Sequence, residues 1–97
     1  MKSQEVLGRL SGSLSEICRR FRVQKLALFG SVARDEASEN SDVDVLVDFE
    51  GRADFDRFMD LKFYLEDLLG AKVDLVTQDG LRPRMRPEIE REAIRVA

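Results

Sequence analysis

The sequence predicts a small α/β domain of two or three layers. Three observations carry the prediction. An amphipathic stripe runs through residues 4–21, apolar runs of strand length lie at 23–29, 43–49 and 72–77, and helical signals separate those runs. The order reads α-β-(short α)-β-α-β-α. Ninety-seven residues suit one domain over positions 1–97, enough for a single core but not for two.

Leu7, Leu10, Leu14, Ile17 and Phe21, with Val6 and Cys18 beside them, mark one face of a single helix over residues 4–21. Gly8 and Gly12 weaken it, each by roughly 1 kcal/mol against alanine. Arg19 and Arg20 suit its C-terminal dipole. Cys18 reads as a packing residue. Val23 to Phe29 is a strand ended by Gly30, and the SVAR that follows suits a strand-to-helix turn capped by Ser31. Val43 to Phe49 is the next strand, with Val43, Val45, Val47 and Phe49 on one face. Phe58, Leu61, Leu65, Leu68 and Leu69 form a helical stripe that stops at Gly70, a C′ glycine. Lys72 to Thr77 is a third short strand, Gln78-Asp79-Gly80 a turn, and Pro87 suits the first turn of a last helix.

Composition removes several function classes. Histidine is absent, which excludes histidine-cysteine zinc sites, Ser-His-Asp triads and histidine bases. Any metal would be held by carboxylate oxygens, which suits magnesium, manganese or calcium. The longest uninterrupted apolar run is four residues, too short to span a bilayer, and MKSQEVLGRL lacks the apolar core of a secretion signal. With one cysteine and no internal disulfide, a cytoplasmic chain is the expectation. A net charge of −3 argues against direct, sequence-independent nucleic-acid binding.

The chemistry gathers between the first two strands. Gly30 allows close approach to the backbone, and free amides at a helix start bind phosphate. Asp42 and Asp44 are two apart on a strand, so their side chains leave one face with Cα atoms about 6.6 Å apart. Carboxylates that close repel, and a divalent cation between them relieves the repulsion. A solvated strand end, following the polar run SENS, is the plainer account of the pair. Asp74 shifts the balance, because it interrupts the apolar strand KVDLV without a structural reason. Should this strand lie beside the second, three carboxylates would face a phosphate-binding turn, as phosphoryl transfer requires. No EF-hand, P-loop or dinucleotide fingerprint is present: an EF-hand from Asp42 fails at Leu46, Val47 and Ala53.

Gly30-Ser31, ten residues, then Asp42-x-Asp44 resembles the signature of the polymerase-beta-like nucleotidyltransferase superfamily. GSVAR, SDVDVLVDF and KVDLV together look like its smallest branch, the minimal nucleotidyltransferases, antitoxin partners of HEPN-domain toxins. The resemblance covers roughly residues 23 to 95. It implies an α+β nucleotidyltransferase fold with a three-stranded or slightly larger mixed sheet, helices mainly on one face and the site on the other. Asp42, Asp44 and Asp74 match its catalytic, metal-binding carboxylates, with Asp74 also activating the attacking hydroxyl. Gly30 and Ser31 match its phosphate-binding turn. Arg34 matches an arginine placed to meet phosphate, although a helix-surface salt bridge suits it equally. Two magnesium ions, ATP or another nucleoside triphosphate, and a tyrosine of a HEPN toxin as AMP acceptor complete what it implies.

One departure is Asp35, where these proteins commonly have glycine; aspartate tolerates the left-handed backbone expected there, but adds charge near a triphosphate. The alternatives are an antitoxin that inhibits its toxin by binding alone, and a transferase acting on a small molecule. Arginines 82, 84, 86, 91 and 95, interleaved with Glu88, Glu90 and Glu92, read as a solvated face. Phe58 reads as core, while Phe55, Phe63 and Tyr64 are open between packing and base stacking.

Overall fold

The alternating valines of residues 43–49 need one covered face, and the sheet supplies it. In the computed structural model, which describes residues 1–97, the chain runs α1 (Ser3–Gly12), α2 (Leu14–Phe21), β1 (Val23–Phe29), α3 (Gly30–Ala33), β2 (Val43–Phe49), α4 (Phe55–Leu69), β3 (Val73–Thr77), α5 (Arg86–Glu92) and β4 (Ile94–Arg95). The sheet order is β3-β2-β1-β4. β2 pairs antiparallel with β1 and parallel with β3, and β4 is antiparallel to β1. The sheet is therefore mixed, with α4 as the crossover between its two parallel strands.

Val43, Val45, Val47 and Phe49 join Leu26, Leu28, Val73 and Leu75 beneath α1, α2 and α4 in one core of 17 buried residues. The opposite face holds a smaller cluster, in which Ala27, Phe29 and Leu46 meet Leu81 and Ile89 of the C-terminal segment. Helices thus cover mainly one face, as expected. Cys18 and Phe58 pack against the main core. No helix is long and apolar enough to cross a membrane.

Three sequence expectations change. The helix expected over 4–21 is two helices that break at Ser13, whose amide turns to Leu10 O at 3.2 Å instead of continuing the i→i−4 ladder. Gly12 lies at the break, where its low helix propensity makes the interruption cheap. The break lets Val6 and Leu10 on one side, and Ile17 and Phe21 on the other, all bury on the same curved sheet. Lys72 lies just outside β3, although its carbonyl still accepts the Val43 amide at 2.9 Å. The position of β4 was not foreseen, although a sheet slightly larger than three strands was within the expectation. This strand is two residues long and exists through its pairing with Ala27 and Leu28.

The aromatics divide. Tyr64 packs its ring 5.3 Å from that of Phe21 and donates its hydroxyl to Glu16 at 3.0 Å, a structural engagement. Phe55 and Phe63 stand exposed. Gly70 ends α4 in the left-handed conformation at φ 65° and returns its amide to Glu66, as a C′ glycine should.

Candidate functional site

Register brings the aspartates together. Asp44 and Asp74 are direct partners across the parallel β2–β3 pair, so their side chains leave the sheet side by side. Even-numbered β2 residues face away from the main core, and Asp44 is the first of them. Asp42 precedes β2 and is exposed; Asp74 is exposed as well, and Asp44 half-buried. On the other flank of β2, Asp44 is the partner of Phe29, the last residue of β1. The Gly30–Ser31 turn therefore begins beside it.

Gly30 has φ +77°, and a Cβ there would run into the Asp44 carboxylate, lying 2.8 Å from its Cγ. Glycine is thus required twice, for its backbone and for the space. The group that comes close to Gly30 is the side chain of Asp44.

The electrostatics are those of crowded anions. Burial, the charges of Asp74 and Asp42, and a hydrogen bond to Asp74 push Asp44 up to about 6, against a weaker opposing pull from Arg34. No lysine or arginine forms a salt bridge with Asp42, Asp44 or Asp74. An all-oxygen, unneutralised set fits a hard divalent cation. The three side chains nevertheless do not converge as closely as the sequence suggested. No group of three or more acidic, histidine or cysteine side chains is arranged to hold an ion as they stand.

One further expectation is corrected, and one of the two readings of Arg34 is seen. Ser31 does not cap the following helix: the cap position is Phe29, with no side-chain cap bond, and Ser31 lies inside the single turn of α3. Arg34 is engaged in ion pairs: its Nη1 donates to Glu92 Oε2 at 2.8 Å and its Nε to Glu36 Oε2 at 3.2 Å. These bonds, that to Glu92 first, raise its already high pKa.

Asp35 adopts φ 56°. Its carboxylate accepts from the Ser3 backbone amide at 2.8 Å and the Ser3 hydroxyl at 2.9 Å, which lowers its pKa. The extra charge is thereby directed to the start of α1 and tied to a buried serine.

Sequence reasoning missed Glu92. It was read as one of three glutamates on a solvated face, yet its Oε1 accepts from the Gly30 amide at 3.1 Å while Oε2 holds Arg34. The other charges of that face do behave as solvated: Arg86 pairs loosely with Glu90 at 4.0 Å. Nothing in the local pattern separates Glu92 from Glu88 or Glu90. Only the pairing of β4 with β1 does.

Comparison with known proteins gives a consistent picture. The family described as nucleotidyltransferase domain matches residues 10–96. Protein adenylyltransferase MntA of Thermococcus cleftensis is 41% identical over 93 residues, covering 96% of this chain and 94% of its own. A solved structure that carries the provisional name minimal nucleotidyltransferase superposes with a TM-score of 0.84 at 44% identity, covering 97% of this chain and 95% of that one. A tri-AMPylated HEPN toxin of Shewanella oneidensis in complex with its MNT antitoxin contains a chain with the same fold. The TM-score is 0.68 at 18% identity, over 94% of this chain and 71% of that one.

Proposed function

The chain belongs to the nucleotidyltransferase domain family, in its minimal branch, and we propose that it moves AMP from ATP to a tyrosine hydroxyl of a partner HEPN toxin. The observation that carries this reading is the in-register pair Asp44–Asp74, with Asp42 just before β2 and the Gly30–Ser31 turn alongside. The relative named as a protein adenylyltransferase supports AMP as the group and a protein as the acceptor. The AMP-bearing HEPN toxin found with a chain of this fold supports the kind of acceptor.

Magnesium held by Asp42, Asp44 and Asp74 would neutralise the triphosphate and the charge developing on the leaving pyrophosphate. The chain's own residues do the positioning. Gly30, its own amide taken by Glu92, sets the turn that presents Ser31 to phosphate oxygens, and Arg34 offers the guanidinium donors that Glu36 and Glu92 leave free. Asp74, exposed beside Asp44, receives the proton of the incoming hydroxyl as its oxygen attacks the α-phosphorus. Catalysis of this kind rests on alignment and charge, which a domain of this size can supply.

The test is direct. Incubation with ATP, magnesium and the cognate toxin should add AMP to the toxin, read by intact mass. Asp42→Asn and Asp74→Asn should each abolish the adduct. A toxin silenced without any mass change, equally by wild type and the double variant, would establish inhibition by binding alone.

A further inference from the structure

Glu92 sits where three parts of the site meet. The β1–β4 pairs Ala27–Arg95 and Leu28–Ile94 bring the start of α3 to the end of α5, where the Gly30 amide meets the Glu92 side chain. The side chain uses both oxygens. One accepts the Gly30 amide and the other the Arg34 guanidinium, bridging 62 and 58 residues of sequence. Gly30 is buried, so its N–H needs a partner within the protein, and Glu92 is that partner. The same glycine leaves the space that the Asp44 carboxylate fills.

From this geometry, and resting on the nucleotide reading above, we infer that Glu92 is a positioning residue for the triphosphate. It acts through the turn and through Arg34 without touching the nucleotide. Arginine carries five N–H donors. Glu36 takes Nε, Glu92 takes one proton of Nη1, and both protons of Nη2 remain. The guanidinium is therefore held in one plane by two carboxylates from different segments while its outer edge stays open, the side chain being 44% exposed. Held this way, the guanidinium loses little freedom when it binds phosphate.

An opposite role is physically conceivable for a carboxylate at this position: an internal anion that occupies the phosphate's donors and has to leave. The free Nη2 argues against it, as does the second hold on Glu92, through the buried Gly30 amide. The two roles differ in the sign of one measurement.

Binding of magnesium-ATP and the KM and kcat for toxin modification would be measured for wild type, Glu92→Ala, Glu92→Gln, Arg34→Ala and the Arg34→Ala/Glu92→Ala pair. Loss of alignment should raise the KM for ATP about tenfold in Glu92→Ala, with a smaller change in kcat. Glu92→Gln should fall between, because its amide keeps one acceptor and turns a donor toward the other partner. In the Arg34→Ala background the effect of Glu92→Ala should shrink to the part carried by Gly30, about threefold or less. Tighter magnesium-ATP binding by Glu92→Ala would overturn the inference in favour of the displaced anion. Unchanged affinity in both Glu92 variants would also overturn it, as would an undiminished effect in the Arg34→Ala background. Should Glu92→Ala fail to fold, wild-type affinity in folded Glu92→Gln would overturn it. A wild-type chain that binds no magnesium-ATP would defeat the nucleotide reading and this inference together. Wild-type binding that is indifferent to Glu92 would defeat this inference alone.

Discussion

Asp44 and Asp74 stand as direct partners in the parallel β2–β3 register, two carboxylates on one face with no cation from the protein between them. Folding therefore brings together groups that repel. For Asp44 the result is a folded-state pKa of about 6, above its ordinary 3.8, caused first by burial and then by Asp74 and Asp42. The folded chain holds this proton more tightly than the unfolded one. Its contribution to stability is present below the ordinary carboxylate pKa and is lost as pH rises through about 6. Asparagine cannot lose that proton. The melting temperature of metal-free Asp44→Asn should accordingly exceed that of wild type at pH 7.5, with the gap narrowing through pH 5 and closing below the ordinary pKa of 3.8. A constant difference across that range would refute the assignment.

The same substitution separates catalysis from folding. Asp44→Asn keeps shape and removes a charge that an ion would need, so AMP transfer should fall about a hundredfold or more while the fold survives. Far-ultraviolet circular dichroism and the transfer assay settle it together. An unfolded variant would make Asp44 structural.

Magnesium with ATP should stabilise the wild-type chain by mass action, about 2.7 kcal/mol at a hundredfold excess over the dissociation constant. The pair should act more strongly than either ligand alone, because each supplies charge that the other lacks. The gain should weaken below pH 6, where the proton on Asp44 competes with the cation. Thermal shift with and without each ligand checks it; a melting temperature indifferent to both counts against the site.

Gly30→Ala places a methyl group against the Asp44 carboxylate on a backbone at φ +77°. The strain and the clash should cost about 2–4 kcal/mol and displace Asp44, so transfer should be lost even in molecules that remain folded. Urea unfolding measures the first effect. Near-wild-type stability would mean that the turn relaxes freely.

Asp35→Gly places at φ 56° the residue best suited to a left-handed backbone. It relieves a left-handed aspartate but removes both acceptors of Ser3. The melting temperature should drop at neutral pH, with AMP transfer retained. The Asp35 pKa is depressed, chiefly by the Ser3 amide, so its contribution is present above the ordinary value of 3.8 and disappears as pH falls below it. Wild type and variant should therefore converge in acid. A variant as stable as wild type at pH 7 would show that the Ser3 contact contributes nothing.

What could be read from the sequence follows from what is local. β1 and β2 matched residue for residue because their alternation and the bordering Gly30 are nearest-neighbour features. Gly70 was legible because a glycine after a leucine stripe has one common use. The shared face of Asp44 and Asp74 needed only that β2 and β3 be adjacent, which the crossover through α4 makes the simplest topology. β4 and the role of Glu92 were hidden because two residues carry no period, and a glutamate among glutamates shows its function only after the chain closes on itself. The break at Ser13 was half visible: Gly8 and Gly12 weakened the helix, but nothing local said which of them, or their neighbours, would yield.

The turn between Gly30 and Asp35 is fastened at one end to Glu92 and at the other to Ser3, across 62 and 32 residues. In folding, contacts that distant follow the nearer ones, since the loops they close cost more entropy. The β1–β2 hairpin should therefore form while the turn it carries is still loose, and the turn should set last. In the finished molecule the order reverses. The Gly30 amide, guarded by a single side chain from the far end of the chain, should exchange with deuterium well before the amides paired inside the hairpin.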